Sequence, residues 1–312
     1  MTERILITGA NGFVGKALCK YFVAHGYRVR GVVRGKKRPL ADVEYAPIHD
    51  LASVSRAEWT GLLDDVQVVI HCAALVHQMQ GVADPDEYYR VNTAATATLA
   101  EAAADAGVSR FIFLSTAKVL GEFTRPGRPF RADDSANPQD DYARSKWLAE
   151  QALTESGIRT DMDVVIIRPP LIYGSGVGGN FELLMKLVEK GLPLPFGSVD
   201  NKRSLLAINN LVDVLGLCLR KSESLSGTYL VSDGNDVSTR DLVTAMAMST
   251  GKSVRLFPCP VTVLRVIGAC LGKKTVIDRL CGDLSVECAP IQRALDWHPR
   301  HSLQTVLAYK EP

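Results

Sequence analysis

The run Thr8-Gly9-Ala10-Asn11-Gly12-Phe13-Val14-Gly15 constrains what this chain can fold into more than any other segment. It follows a short apolar stretch, 5–8, and opens a segment in which Phe13, Val14, Ala17, Leu18, Tyr21 and Phe22 recur with the spacing of one helical face. Strand, glycines and helix N-terminus in that order define a turn with a chemical preference. Glycine permits the tight reversal and lets backbone approach a ligand closely, while the first N–H groups of the helix and its dipole favour an anion. The pattern predicts a dinucleotide-binding turn, with Gly9, Asn11, Gly12, Phe13, Val14 and Gly15 around a pyrophosphate. A phosphate loop of the nucleoside triphosphatases is excluded. Gly15-Lys16-Ala17 has the wrong spacing from Gly9 and lacks Ser or Thr, and position 246, upstream of Gly251-Lys252-Ser253, is Met.

Beyond the turn, short β-branched runs at 5–8, 27–33, 45–48, 66–72, 111–116, 164–168 and 228–232 alternate with longer helical patterns, one of them dense in helix formers over 92–106. That rhythm predicts an α/β fold with right-handed crossovers: a Rossmann-type doubly wound parallel sheet with a smaller C-terminal α/β substrate lobe. From 169 the chain turns Pro- and Gly-rich, passes through a helical pattern at 181–190, and returns to the sheet over 205–232. We therefore expect a dinucleotide-binding domain from 1–168 and 205–232, and a second lobe from 169–204 and 233–312. Loops of this kind gather over the carboxyl ends of the strands, where doubly wound folds bind ligand.

Charge and cysteine usage narrow the class. With 36 Lys+Arg against 34 Asp+Glu, nothing in the total favours nucleic acid as a partner. The seven cysteines form no Cys-x-x-Cys pair, and Met1-Thr2-Glu3-Arg4 runs straight into the first strand without the grammar of a signal peptide, so reduced thiols and a cytoplasmic setting are expected. Six histidines show no zinc-ligand spacing, and there is no Gly-x-Ser-x-Gly elbow, so neither metal nor hydrolase chemistry is expected. The longest apolar run, 258–272, is interrupted by Arg265 and is too short to span a bilayer; it reads as a packed helix, with membrane contact the lesser reading.

The end of the second strand speaks to the cofactor. Gly31-Val32-Val33-Arg34 is followed by Lys36, Lys37 and Arg38, with no carboxylate to hold a ribose diol, which favours NADP(H) over NAD(H). Asp50 and Leu51, after the third strand, are placed beside the adenine. Tyr142 and Lys146 stand four apart, hence on one helical face, where an ammonium brings a phenol's pKa down toward working pH. Thr116, at the end of an apolar strand, supplies a hydroxyl for the same substrate oxygen. The pair Tyr88-Tyr89 reads as packing.

These residues together resemble the extended short-chain dehydrogenase/reductases, the nucleotide-sugar epimerase and dehydratase group. The likeness runs through the glycine turn, His71-Cys72-Ala73-Ala74, Asn92, Ser115-Thr116, Tyr142 with Lys146, Arg168-Pro169-Pro170-Leu171-Ile172-Tyr173-Gly174, Gly178-Gly179-Asn180, Arg203, Asp213 and Leu295-Asp296-Trp297-His298-Pro299. The resemblance implies that Thr116, Tyr142 and Lys146 are catalytic, with Tyr142 the acid/base. It also implies that Ala73, Ala74, Asn92 and Pro169 join the cofactor site, and that Asn180 and Arg203 hold a uridine diphosphate. Ser115 and Lys118 would border the sugar. Segments 88–106 and 142–156 correspond to the helix pair of a four-helix dimer contact, which implies a homodimer.

Two positions depart from the sugar 4-epimerase pattern. Lys118 stands where a small hydroxyl residue is typical, and Leu120 stands where a tyrosine is typical. The segment, together with Asn180-Phe181 and the late apolar helix pattern 261–271, looks like the bacterial reductases of UDP-4-keto-6-deoxy-N-acetylhexosamine, which form UDP-N-acetylquinovosamine for O-antigen. The expectation is therefore NADPH-dependent reduction of a C4 ketone on a UDP-sugar. The alternatives are a UDP-hexose 4-epimerase with tightly bound NAD and, from another class, a non-catalytic NADPH-binding regulator. Segment 258–285 could make a peripheral contact with a membrane glycosyltransferase.

Overall fold

The computed structural model describes residues 3–35, 40–76 and 84–308; Lys36, Lys37 and Arg38, read above as favouring NADP(H), lie outside the described residues, as does His77. Seven strands form one parallel sheet: β1 (Arg4–Thr8), β2 (Arg28–Arg34), β3 (Glu44–Ile48), β4 (Val68–His71), β5 (Arg110–Leu114), β6 (Asp163–Arg168) and β9 (Gly227–Leu230). Their order is β3-β2-β1-β4-β5-β6-β9. Each expected strand is present, shifted or trimmed by a residue or two at its ends.

These strands read as near-continuous apolar runs because both faces of the sheet are covered. Ile5, Ile7, Val33, Ile70, Ile112, Val165 and Ile167 enter one buried cluster with the helices Phe13–Ala24 and Ile208–Arg220. Leu6, Val32, Val69, Phe111, Phe113 and Ile166 enter the other, with the helices Ala95–Asp105 and Asp141–Arg159. Successive side chains alternate between the two layers, as the pleat requires. The strand order reverses between β1 and β4, so the glycine turn and the loop after His71 open side by side at the carboxyl edge.

Three local expectations are corrected. The segment 205–232 re-enters the main sheet only at its end: β8 (Leu205–Ala207) pairs with β7 (Leu171–Tyr173) in a separate two-stranded sheet, a helix follows, and only β9 reaches the main sheet. The helix expected over 92–106 begins as a short helix, Pro85–Tyr88, passes through a π-helical turn, Tyr89–Ala94, and becomes α-helical over Ala95–Asp105. Finally, β5 ends at Leu114, so Thr116 is not a strand residue; it caps a 3₁₀ turn, Ala117–Val119, accepting from Lys118 N at 3.3 Å. A third apolar cluster, built on Tyr173, Phe181, Leu184, Phe196, Leu242 and Met246, lies under the later helices. No helix among the described residues is long and apolar enough to cross a membrane.

Candidate active site

The glycine turn is shaped by what a side chain would collide with. Gly9 has φ +67°, and a Cβ there would sit 3.1 Å from the Ala73 backbone. At Gly15 a Cβ would fall 2.1 Å from Gly9 O. Gly12 N–H donates to Gly9 O at 2.9 Å, and no side chain caps the helix that starts at Phe13. The result is a cradle of backbone at a helix N-terminus, which fits the pyrophosphate of a dinucleotide. Asn11 reaches across to Arg34 O at 3.5 Å, tying the turn to the end of β2, where Arg34 itself is exposed. Asp50 is bound by the Arg90 guanidinium, which holds its carboxyl below the usual range, and it caps the 3₁₀ turn Leu51–Ser53, burying Leu51.

Beneath the cradle runs a chain of buried hydrogen bonds whose directions can be deduced. Thr8 Oγ1 accepts from Cys72 N and Ala73 N, both at 3.1 Å, so its proton goes to His71 Nδ1 at 2.7 Å. His71 Nε2 then donates to Thr96 Oγ1 at 2.9 Å, and Thr96 donates to Asn92 O at 2.7 Å. Burial, followed by the charge of Lys146, pushes the His71 pKa down to about 3, so the ring is neutral. Asn92 was expected at the cofactor. Its carboxamide accepts from Leu75 N (2.7 Å) and donates to Leu75 O and Ser145 Oγ (3.0 Å each), clamping the loop after β4 to the helix that carries Lys146. The π-helical turn aims it there, a local distortion of the kind that gathers at functional sites.

A cavity of about 920 Å³ brings together Val14, Ala74, Ser115, Thr116, Lys118, Tyr142, Lys146, Pro169, Asn180 and Arg203 from the sequence-derived set. The remaining members, Gly9, Asn11, Gly12, Phe13, Gly15, Arg34, Asp50, Leu51, Ala73 and Asn92, are not among the residues that line it. Lys146 is buried, with Nζ 3.9 Å above the centre of the Phe113 ring. Desolvation brings its pKa down to about 7, opposed by the nearby Glu150 carboxylate. Tyr142 is half-buried and meets Tyr88 edge-on at 6.5 Å. Burial, then Asp140, raises its phenol above the ordinary value. The expectation of a phenol lowered by its lysine is corrected: burial and the Asp140 carboxylate hold it above its ordinary value.

Glu150, Asp140 and Glu122 are the residues that sequence reasoning missed. Arg168 grips Glu150 with Nε at 3.0 Å and Nη2 at 2.6 Å, and Ser115 donates to the same carboxylate, so Ser115 is committed to this buried pair as well as lining the cavity. A signal was available: Glu150 continues the four-residue spacing of Tyr142 and Lys146. Lys118, read as a sugar neighbour, donates to Asp140 at 2.7 Å and to Glu122 at 3.3 Å. Asp140 in turn caps the helix Asp141–Arg159 through Ala143 N at 2.7 Å, so Lys118 fixes the start of the helix bearing Tyr142. Arg203 donates to Arg279 O (2.6 Å) and Gly282 O (3.0 Å), and Asn180 lies exposed in the first turn of the helix Gly179–Glu189. Tyr88 packs and Tyr89 donates to Asp141 at 3.2 Å, in keeping with the packing expected of that pair.

A parallel sheet with a glycine cradle at its switch point, beside a Thr, Tyr and Lys lining one cavity, defines a dinucleotide-dependent oxidoreductase-type enzyme of the short-chain class. The chain belongs to the NAD dependent epimerase/dehydratase family, whose model matches residues 5–231. It is 41% identical over 308 residues to a UDP-glucose 4-epimerase of Vibrio cholerae, covering 97% of this chain and 93% of the relative. It is 30% identical over 264 residues to a UDP-glucose 4-epimerase of Mycolicibacterium smegmatis, covering 80% and 83%. Its fold is that of the Thermus thermophilus UDP-glucose 4-epimerase solved as a complex with NAD, with a TM-score of 0.78, 23% identity and coverage of 98% and 96%.

Proposed function

We propose that this protein is a UDP-hexose 4-epimerase that works with bound NAD(H). The observation that carries the reading is the 41% identity, across nearly the whole chain, to a UDP-glucose 4-epimerase. This replaces the C4-ketone reductase as the main reading, and NAD(H) replaces NADP(H). The NADP(H) expectation rested on Arg34, which is exposed, and on residues outside the described ones, whereas the family is NAD dependent.

The residues present fit such a cofactor: the cradle of Gly9, Gly12 and Gly15 would hold its pyrophosphate, with Asp50 and Leu51 toward the adenine, and Lys146 toward the nicotinamide ribose. Its nicotinamide supplies a reversible two-electron acceptor. Tyr142 takes the proton of the sugar C4 hydroxyl and later returns it. Thr116 orients that oxygen, and the buried Lys146, with Glu150 behind it, supplies the positive charge that favours the ionised phenol, the form able to accept the C4 hydroxyl proton. Asn180 and Arg203 serve the uridine diphosphate, and Lys118, anchored on Asp140, shapes the wall beside the sugar. The chain divides into a cofactor domain, 1–168 and 205–232, and a sugar lobe, 169–204 and 233–312, and it pairs as a homodimer through the helices Ala95–Asp105 and Asp141–Arg159.

The test is purification without added nucleotide, followed by release and assay of bound NAD and by NMR of UDP-glucose turnover. Retained NAD with UDP-galactose formation is the expected result. Lys118 and Leu120 favour the reductase as the second reading: stoichiometric oxidation of NADPH by a UDP-4-keto-6-deoxy sugar, with no epimerisation, would establish it instead.

A further inference from the structure

The run 258–272 was expected to pack, and it does so on one face only. In the helix Val261–Cys270, Leu264 and Gly268 are buried, and Gly268 lies so close to the next helix, Lys274–Cys281, that a Cβ would come within 2.6 Å of Ile277 Cγ1. The opposite face is equally apolar and open to water. Val263, Val266 and Ile267 are exposed, as is Leu271 just beyond the helix, at the i, i+3, i+4, i+8 spacing of a single stripe; Val266 is 64% exposed and Leu271 69%. Just before the helix, Phe257 is a further exposed apolar side chain at 46%, on a backbone that donates to Leu194 O and accepts from Gly197 N, both at 3.1 Å. A contiguous exposed apolar stripe of this kind marks an interaction site.

Charge identifies what covers it. Between Asp241 and Asp278 the chain carries Lys252, Arg255, Arg265, Lys273 and Lys274 and no carboxylate at all, which leaves the rest of this nearly neutral chain with more Asp and Glu than Lys and Arg. Arg265 is answered by Asp278 at 3.2 Å, while Lys252, Arg255, Lys273 and Lys274 are exposed. A second copy docking through the same patch would set these cations against themselves, since a two-fold interface brings like surface to like. The helix has 10 residues, too few to cross a bilayer and enough to lie in its surface.

We propose that segment 252–274 is an interfacial anchor that docks on an anionic lipid bilayer, with Val263, Val266, Ile267 and Leu271 entering the headgroup–acyl boundary and the flanking Lys and Arg meeting lipid phosphates. Lys273 and Val276 also line the 920 Å³ cavity, so docking sets the mouth of the active site beside the membrane.

The test is co-sedimentation of the full chain with vesicles of phosphatidylethanolamine containing about one-third phosphatidylglycerol, against vesicles of phosphatidylcholine alone. Binding to the anionic vesicles should be at least about tenfold tighter and should weaken steeply at high salt. V266D/L271D should lower it a further tenfold or so, with turnover of soluble UDP-glucose unchanged, because neither residue lines the cavity. K252E/R255E should act in the same direction without touching the apolar stripe. Circular dichroism and turnover establish that each variant folds. Failure to bind anionic vesicles, or binding indifferent to both variants, overturns the proposal, as does a dimer in sedimentation equilibrium that V266D/L271D dissociates.

Discussion

Asn92 donates to Ser145 Oγ at 3.0 Å, joining two helices across 53 residues of sequence, and the next residue along the second helix is Lys146. The same carboxamide closes both backbone bonds of Leu75, so the loop after β4 and the helix of Tyr142 move as one piece. Every group involved is buried, where an unmade hydrogen bond costs far more than an exposed one.

Asn92→Ala should therefore lower the unfolding free energy by about 2–4 kcal/mol, because it takes the partner from the buried Leu75 N–H and Leu75 C=O, while the Ser145 hydroxyl keeps its bond to Tyr142 O. Urea unfolding monitored by fluorescence measures this. A change under about 0.5 kcal/mol, as at an ordinary surface position, would show that the clamp carries no weight.

Tyr142→Phe should keep NAD bound and lose turnover by roughly 10²–10⁴-fold, the usual worth of a positioned proton carrier. Bound nucleotide per protomer and the rate of UDP-sugar interconversion separate the two effects. A variant with wild-type turnover would remove Tyr142 from the chemistry.

The buried Lys146 should cost stability in a pH-dependent way. Its native pKa of about 7 lies below the ordinary 10.5, so between these values the unfolded chain holds a proton that the native state has shed. Stability therefore rises with pH through that window, and the penalty is full below about 7. Lys146→Met should raise the unfolding free energy at pH 6 by on the order of 1–3 kcal/mol while abolishing activity, with a smaller gain at pH 9. Chemical denaturation at the two pH values checks both the size and the trend.

His71 should remain neutral in the native protein across the mildly acidic range. Its native pKa of about 3 lies below the unfolded value near 6.5, so the unfolded chain gains a proton that the native state refuses, and stability falls as pH drops from about 6.5 toward 3. The NMR signal of its Cε1–H should stay constant between pH 8 and 5. A midpoint near 6.5 would mean that the Thr8–His71–Thr96 chain is open to solvent.

Local spacing was enough to place much of this protein. The strands are legible because a sheet covered on both faces demands unbroken apolar runs, and the cradle because Gly9, Gly12 and Gly15 fall where strand meets helix. Tyr142 and Lys146 share a face by helical period alone. What tertiary structure decided is which distant groups meet. It turned Thr116 from a strand end into the cap of a short turn, gave Lys118 to Asp140 and Glu122, committed Ser115 to Glu150 and Arg168, and made Asn92 a clamp. It also paired 171–173 with 205–207 and left one face of the helix Val261–Cys270 in water. Periodicity records which side of a segment is apolar, but hydrogen-bond partners, desolvation and the covering of a face depend on the order in which strands lie side by side, and that order is a property of the whole chain.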